Sequence, residues 1–277
     1  MYLMLTRYAP SPTGYLHLGH VVNAIYVWGM ARAAGGRVLL RIEDHDRIRC
    51  RPEYEAALLE DLDWLGFEPD AGLHPLLRQS DRDAAYAAAL ATLRSTQHVY
   101  ACDCSRKRIA AKQYDGFCRA RGLTDGPGRG IRVQLDDDVA RGSTGGDLLL
   151  RDRDGNWTYQ FAVTVDDLEQ RITHVIRGAD LATSTERQMR LRQMLGGADQ
   201  PAYLHHPLIL KPGGDKLSKS ARDTGVRELR RAGVNAADVI GRAAAAAGLI
   251  DAPRAIDARE VASLFAGSAF RGTRPAF

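Results

Sequence analysis

The stretch from Leu3 to Ile42 constrains the fold more than any other part of the chain. Leu3 to Ala9 is a short apolar run that suits a strand, and Pro10, Ser11, Pro12, Thr13 and Gly14 stop it, because proline has no N–H to give to a helix or a ladder. From Leu18 the apolar positions Val21, Val22, Ile25, Trp28 and Ala31 recur at helical spacing, and Gly35-Gly36 closes the run. Val38 to Ile42 then reads as a buried strand. Strand, helix and strand in so short a span predict a right-handed βαβ unit and an α/β class.

The rest of the chain extends that pattern and interrupts it once. Arg51 to Leu65 predicts a second helix with Pro52 in its first turn, and Ser80 is a candidate N-cap for a third that runs to Leu93. Between Cys102 and Gly146 the periodicity weakens into glycines, charges and cysteines. Leu148 to Leu150 and Trp157 to Phe161 flank Asp154-Gly155 and read as a hairpin. Regular α/β character returns with a strand over Arg171 to Arg177, a helix over Ser184 to Leu195 and a strand over His206 to Leu210. The middle region therefore reads as an insertion, near residues 98–170, between two sheet halves. A loop from Lys211 to Ser220 follows, and the fifty-seven residues beyond it are helical in pattern, over Arg227 to Gly248 and Ala258 to Phe265.

Composition bounds the possibilities without selecting among them. A 277-residue chain with 45% hydrophobic and 26% charged residues can bury a full core in one large domain with an insert or appendage. The 38 basic and 34 acidic residues give a net charge of +4 with no dense basic block, which permits nucleic-acid binding without indicating it. No charged segment followed by a long apolar run opens the chain, and the small-residue run Ala243 to Ala247 is too short to span a bilayer. A cytoplasmic protein with no membrane association is expected, and a monomer.

Neither the P-loop pattern nor G-x-G-x-x-G occurs, so phosphate must be handled another way. His17-Leu18-Gly19-His20 sits where the first loop delivers the chain into a helix N-terminus, a place with unpaired N–H groups and a positive dipole end. Two imidazoles there can donate to phosphate oxygens, and Gly19 lets an adenine ring approach the backbone. An isolated H-x-x-H is more often a helix start with two surface histidines, and its meaning here comes from the loop before it. Lys216-Leu217-Ser218-Lys219-Ser220, after Gly213-Gly214, is the second element. Alone it is a polar turn. Two ammonium groups on a mobile loop can also stabilise a leaving pyrophosphate as the loop closes.

Together RYAPSPTGYLHLGH, RIEDHD, VIRGADL and KLSKS resemble the glutamyl branch of the class I aminoacyl-tRNA synthetases over most of residues 3 to 220. The resemblance implies a Rossmann-type catalytic domain over 1–225 that includes the insertion, with 226–277 as a short helical C-terminal segment. It implies that His17, Gly19, His20, Lys216, Ser218 and Lys219 bind ATP with Mg²⁺, and that His17, His20 and Lys219 act in catalysis. It places L-glutamate against Arg7, Tyr8, Ala9, Pro10, Ser11, Glu43, Tyr159 and Arg177. Such a substrate carries two carboxylates and one ammonium, so two cationic anchors and one anion match it. Glu43 is assigned to the ammonium and Arg7 and Arg177 to the carboxylates, in an order the sequence leaves open. Asp44 and Asp46 are alternative ion-pair partners for these arginines, in which case the arginines are surface pairs.

Cys102, Cys104 and Cys118 cluster in sequence and invite a metal reading, although three thiolates leave a tetrahedral zinc one ligand short. His98 is the chemically ordinary fourth ligand. Similarity to the glutamyl-Q subgroup of the family implies Tyr114 instead, around one structural Zn²⁺. Three reduced, buried thiols are the alternative. A full synthetase of this branch continues past KLSKS into a large anticodon-binding region, for which the residues after Ser220 are too few. The resemblance therefore implies the truncated subgroup, which places glutamate on queuosine at the wobble position of tRNA(Asp). A shortened enzyme charging a tRNA 3′ end and a small-molecule nucleotidyltransferase of the same fold are the alternatives.

Overall fold

The computed structural model describes residues 3–105, 108, 114–135, 146–209 and 225–266. The expected βαβ unit is present. β1 (Leu5–Tyr8) and β2 (Arg37–Leu40) run parallel, in register from Leu5 beside Arg37 to Tyr8 beside Leu40, and α1 (Leu18–Ala33) connects them. A second parallel pair, β6 (His174–Gly178) and β7 (Ala202–His206), lies alongside. Thr173 fastens the pairs together: its N–H donates to the Leu5 carbonyl at 3.0 Å, and its hydroxyl oxygen accepts from the Leu5 N–H at 2.8 Å. Arg7, Glu43, Arg177 and His206 all lie at or just beyond the carboxyl ends of these strands, where α/β sheets bind ligands.

α1 is apolar over most of its surface because most of that surface is buried. Val22, Ala24, Ile25, Val27 and Trp28 pack in one core with β1, β2 and α2 (Pro52–Leu65). α2 ends as its sequence demands, with Gly66 in the left-handed region at φ +81°. The described part of the C-terminal segment joins that same core through Val239, Ile240, Ala243, Val261 and Phe265. Gly29 makes this possible, since a Cβ there would lie 2.3 Å from the Phe265 ring.

A second core fills the inserted region. β3 (Val99–Cys102), β4 (Gly130–Val133) and β5 (Leu148–Arg151) form an antiparallel sheet, covered by α3 (Asp83–Thr96), α4 (Tyr159–Glu169) and α5 (Thr185–Met194). The expected hairpin is corrected here. Trp157 bridges to Arg151, but the chain turns helical at Tyr159, and Phe161, Ala162 and Val165 bury one face of α4 in the core. The true neighbour of β5 is β4, which glycines and charges hide in the sequence.

Other boundaries shift for local reasons. Ser80 does not cap α3: its N–H is bound by Asp44 Oδ1 at 2.8 Å within a 3₁₀ turn at Gln79–Asp81, and the helix starts at Asp83. β7 ends at His206, before Pro207, rather than starting there. The single C-terminal helix is two, α6 (Val226–Arg231) and α7 (Ala236–Ala246). Gly233 at φ +81° breaks it, and Asn235 recaps the chain by accepting from the Asp238 N–H at 2.8 Å. The last expected helix is a 3₁₀ turn, Val261–Phe265. None of the helices among the described residues is long and apolar enough to cross a membrane.

Candidate active site

The site is organised around a side chain that sequence reasoning passed over. Arg41, just after β2, has no solvent exposure, and a lone buried guanidinium would be strongly disfavoured. Its NH1 donates to Asp167 Oδ1 and to Gln170 Oε1, both at 2.8 Å, and its NH2 donates to Glu43 Oε1 at 3.0 Å. Asp166 lies 3.7 Å from its Nε. Burial works against the charge on Arg41, and Asp167, Asp166 and Glu43 more than offset it. Asp167 also takes the Nε of Arg7 at 3.1 Å. Burial alone would raise the Asp167 carboxyl, and Arg7 and Arg41 instead hold it below the usual carboxylate range. Arg7 and Glu43 are thus fixed through one shared pair of buried charges.

The ion-pair partners suggested from sequence are not used for Arg7 and Arg177. Asp44 accepts from the Ser80 backbone, and Asp46 pairs with Arg49 at 2.6 Å. Arg177 is 4% exposed and is held by neutral groups: Gln188 Oε1 at 2.6 Å, Thr185 Oγ1 at 2.8 Å and His205 Nε2 at 3.3 Å. Among the described residues no carboxylate pairs with it. Since Arg177 can only donate, His205 Nε2 accepts and its proton sits on Nδ1. His206 is also held neutral, accepting from Asn23 Nδ2 at 3.0 Å and donating from Nδ1 to the Pro207 carbonyl at 2.9 Å. Burial lowers both histidines, and the Arg177 charge lowers His205 further.

His17 and His20 form a reciprocal cap on α1. The Gly19 N–H donates to His17 Nδ1 at 3.1 Å, and the His17 N–H donates to His20 Nδ1, also at 3.1 Å. With each Nδ1 accepting, a neutral ring must carry its proton on Nε2, so the backbone sets both rings as Nε2–H donors. Gly19 serves this arrangement directly. A Cβ there would lie 2.9 Å from His17 Cε1, so glycine leaves room for the capping ring.

One cavity of about 660 Å³ gathers these groups. Arg7, Tyr8, Ala9, Pro10 and Ser11 line it from the end of β1, and His17, Gly19 and His20 from the start of α1. Glu43, Tyr159 and Arg177 complete the expected set. His45, Asn23, Asp180 and His206 line it too and were not singled out from the sequence. His45 and Asp180 stand inside the quoted RIEDHD and VIRGADL motifs, which could have flagged them. Asn23 and His206 carry no such signal. Lys216, Ser218 and Lys219 lie outside the described residues.

The cysteines also converge. The three sulfurs of Cys102, Cys104 and Cys118 lie within 4.8 Å of one another, all buried, with 3.6 Å between Cys104 and Cys118. A tetrahedral zinc with bonds of about 2.3 Å sets its sulfurs roughly 3.8 Å apart, so the donor set fits. Burial resists ionisation of Cys102, but the Cys104 N–H, Arg132 and the Tyr114 hydroxyl hold its thiol below the usual range. Cys104 is pushed up to about 12 by burial and by the neighbouring thiols. The Tyr114 hydroxyl reaches this cluster and accepts from the Cys118 N–H at 3.1 Å. His98 is exposed and bound to Gln134 at 2.8 Å, outside the cluster.

Comparison with known proteins identifies the family. The family described as tRNA synthetases class I (E and Q), catalytic domain, matches residues 4–121 and 132–240. The chain belongs to that family. This synthetase is 41% identical over 281 residues to the Glutamyl-Q tRNA(Asp) synthetase of Nitratidesulfovibrio vulgaris, covering 88% of the chain and 86% of the relative. It is 40% identical to the glutamate–tRNA ligase of Frankia alni, over 77% of the chain but 49% of that relative. Among solved structures, a glutamate tRNA ligase from Elizabethkingia meningosepticum in complex with its amino acid aligns with TM-score 0.75 at 27% identity. That alignment covers 94% of this synthetase and 64% of the other chain, so this synthetase spans less than two thirds of that protein.

The neutral histidines give the synthetase a pH signature. Their folded pKa values lie below the unfolded value of about 6.5, so the unfolded chain binds more protons in acid. Their contribution to stability is complete above that pH and is lost as pH falls through it towards the folded values. Urea unfolding at pH 7.5 and 5.5 should show a smaller acid loss in His206→Asn than in the unaltered protein. Equal losses would mean that His206 does not titrate in this way.

Proposed function

We propose that the chain activates L-glutamate with ATP and transfers the glutamate to queuosine at the wobble position of tRNA(Asp). The observation that carries the amino-acid part is Arg177, a buried cation whose described partners are all neutral, facing the same cavity as Arg7 and Glu43. A substrate carboxylate supplies the charge Arg177 lacks. The second carboxylate falls to Arg7. Glu43 uses Oε1 on Arg41, which leaves Oε2 for the substrate ammonium.

A glutamate carboxylate oxygen attacks the α-phosphorus of ATP, the bond to the β-phosphate breaks, and pyrophosphate leaves. The Nε2–H groups of His17 and His20, at the positive end of α1, stabilise the negative charge on the phosphates. Mg²⁺ bound with ATP adds charge stabilisation there. Lys216 and Lys219 are assigned to the leaving pyrophosphate, with Ser218 on ATP, and Lys219 acts in catalysis with the two histidines. A hydroxyl of the acceptor then attacks the activated carbonyl and AMP departs.

The acceptor is read from the relatives. The chain covers 86% of the Nitratidesulfovibrio protein, whose name states the tRNA(Asp) reaction, against 49% of the Frankia ligase. The 40% identity to that ligase favours one second reading, glutamylation of a tRNA 3′ end. Radiolabelled glutamate should appear on tRNA(Asp) carrying queuosine and stay off tRNA(Asp) lacking it and off tRNA(Glu). Equal labelling with and without queuosine, or labelling of tRNA(Glu), would reject the queuosine assignment.

Cys102, Cys104, Tyr114 and Cys118 are proposed to hold one structural Zn²⁺, which fixes the loops of the insertion against β3 and β4. Protein purified without chelator should carry about one zinc per chain, and Cys118→Ser should lose most of it. Full retention of zinc by Cys118→Ser would remove this assignment.

A further inference from the structure

A second cavity, of about 430 Å³, opens beside the first, between the loop after β2, the start of α3 and the turn before α4. Gln79, Asp83, Arg151 and Trp157 line it, and His45 is the one described residue that lines both cavities. Two contacts hold the segments together at this junction: Ile42 bridges in parallel to Arg78, and Asp44 accepts the Ser80 N–H. Gln79, 1% exposed, is thereby set against His45. Its amide nitrogen donates to Asp166 Oδ2 at 2.7 Å, and its Oε1 lies 2.7 Å from His45 Nδ1. The His45 and Tyr159 rings are 6.1 Å apart, centroid to centroid, and His45 stands two positions after Glu43, so it borders the groups proposed for glutamate.

The Asp166–Gln79 contact fixes the imidazole. A carboxylate accepts, and an amide donates only through its nitrogen, so Gln79 turns its oxygen to His45. Nδ1 therefore donates, and in the neutral ring Nε2 carries the lone pair. His45 Nε2 meets no hydrogen-bond partner among the described residues. The other histidines of the first cavity are set differently: His17 and His20 carry Nε2–H, and His206 uses both nitrogens, on Asn23 and on the Pro207 carbonyl. Transfer of the activated acyl group needs a proton acceptor, because the attacking hydroxyl loses its proton as the ester forms. We propose that His45 is the general base of this step. The hydroxyl oxygen attacks the glutamyl carbonyl carbon, its proton passes to His45 Nε2, and the bond from that carbon to the phosphate oxygen breaks, AMP leaving with the electron pair. The imidazolium then gives its proton to water. Asp166, acting through Gln79, is the positioning residue that holds the tautomer. This role rests on the reading that the chain acylates a hydroxyl of an RNA, and the second cavity gives the group that carries this hydroxyl a place beside the ring.

The test compares unaltered protein with His45→Ala and His45→Gln. Single-turnover transfer to saturating tRNA is measured beside glutamate-dependent pyrophosphate exchange without RNA, which reports fold and activation. Transfer should slow about a hundredfold in both variants, well beyond any loss in exchange. Imidazole added to the buffer should restore transfer to His45→Ala and not to His45→Gln, whose side chain fills the space. Should His45→Ala fail to fold, the ratio of transfer to exchange in His45→Gln decides alone. Near-normal transfer in either variant, or equal losses in the two reactions without rescue by imidazole, would overturn the general base. The RNA is whichever of queuosine-containing tRNA(Asp) and tRNA(Glu) the unaltered protein charges, so a wrong queuosine assignment shows in the unaltered protein and a wrong base only in the variants. Charging of neither tRNA by the unaltered protein would overturn the acyl-transfer reading and the role of His45 with it.

Discussion

Arg41 is the constraint on which the site depends. A guanidinium with no solvent exposure is tolerable only when carboxylates and hydrogen-bond acceptors surround it, and here they come from Glu43, just beyond β2, and from Asp167 and Gln170 at the C-terminal end of α4. The same contacts bring the helix that ends the insertion against the carboxyl end of the parallel sheet. Asp166 extends the network outward to Gln79 at 2.7 Å, Arg82 at 2.6 Å and Tyr86, which ties α3 to the same point. The two hydrophobic cores are thereby linked by charge as well as by packing.

That linkage holds the groups proposed to bind glutamate in place before a substrate arrives. Arg7 cannot swing away without leaving Asp167, and Glu43 cannot turn without leaving Arg41. Arg177 is placed differently, in a frame of neutral side chains that sets its orientation and leaves its charge available. On the opposite wall, backbone N–H groups choose the tautomers of His17 and His20. Each chemical role is set by a hydrogen bond that a neighbouring segment supplies.

Much of this was legible in the sequence where function and local structure coincide. The loop Pro10 to Gly14, the HLGH helix start and the acidic strand end are local signals, and each fell where the pattern placed it. Legibility failed where long-range contacts decide. Arg41 reads as a strand residue until Asp166 and Asp167 arrive from α4, more than a hundred positions later. β4 was hidden because its four residues contain a glycine and an arginine, and Tyr159 to Phe161 passed for a strand because so short a window cannot show helical period. His98 is the chemically ordinary alternative to Tyr114 for the cysteine cluster, and its position in space, beside Gln134, leaves it outside.

In the proposed function, Asp167 and Arg41 pre-position Arg7 and Glu43 for glutamate and leave the end of the cavity proposed for ATP alone. The most direct measurement is glutamate-dependent pyrophosphate exchange by Asp167→Asn, a near-isosteric change, with KM determined separately for glutamate and for ATP. The account requires the glutamate KM to rise at least tenfold while the ATP KM stays within about twofold, a selective loss of roughly 1.4 kcal/mol or more. Equal changes in both constants, or none in either, would contradict it.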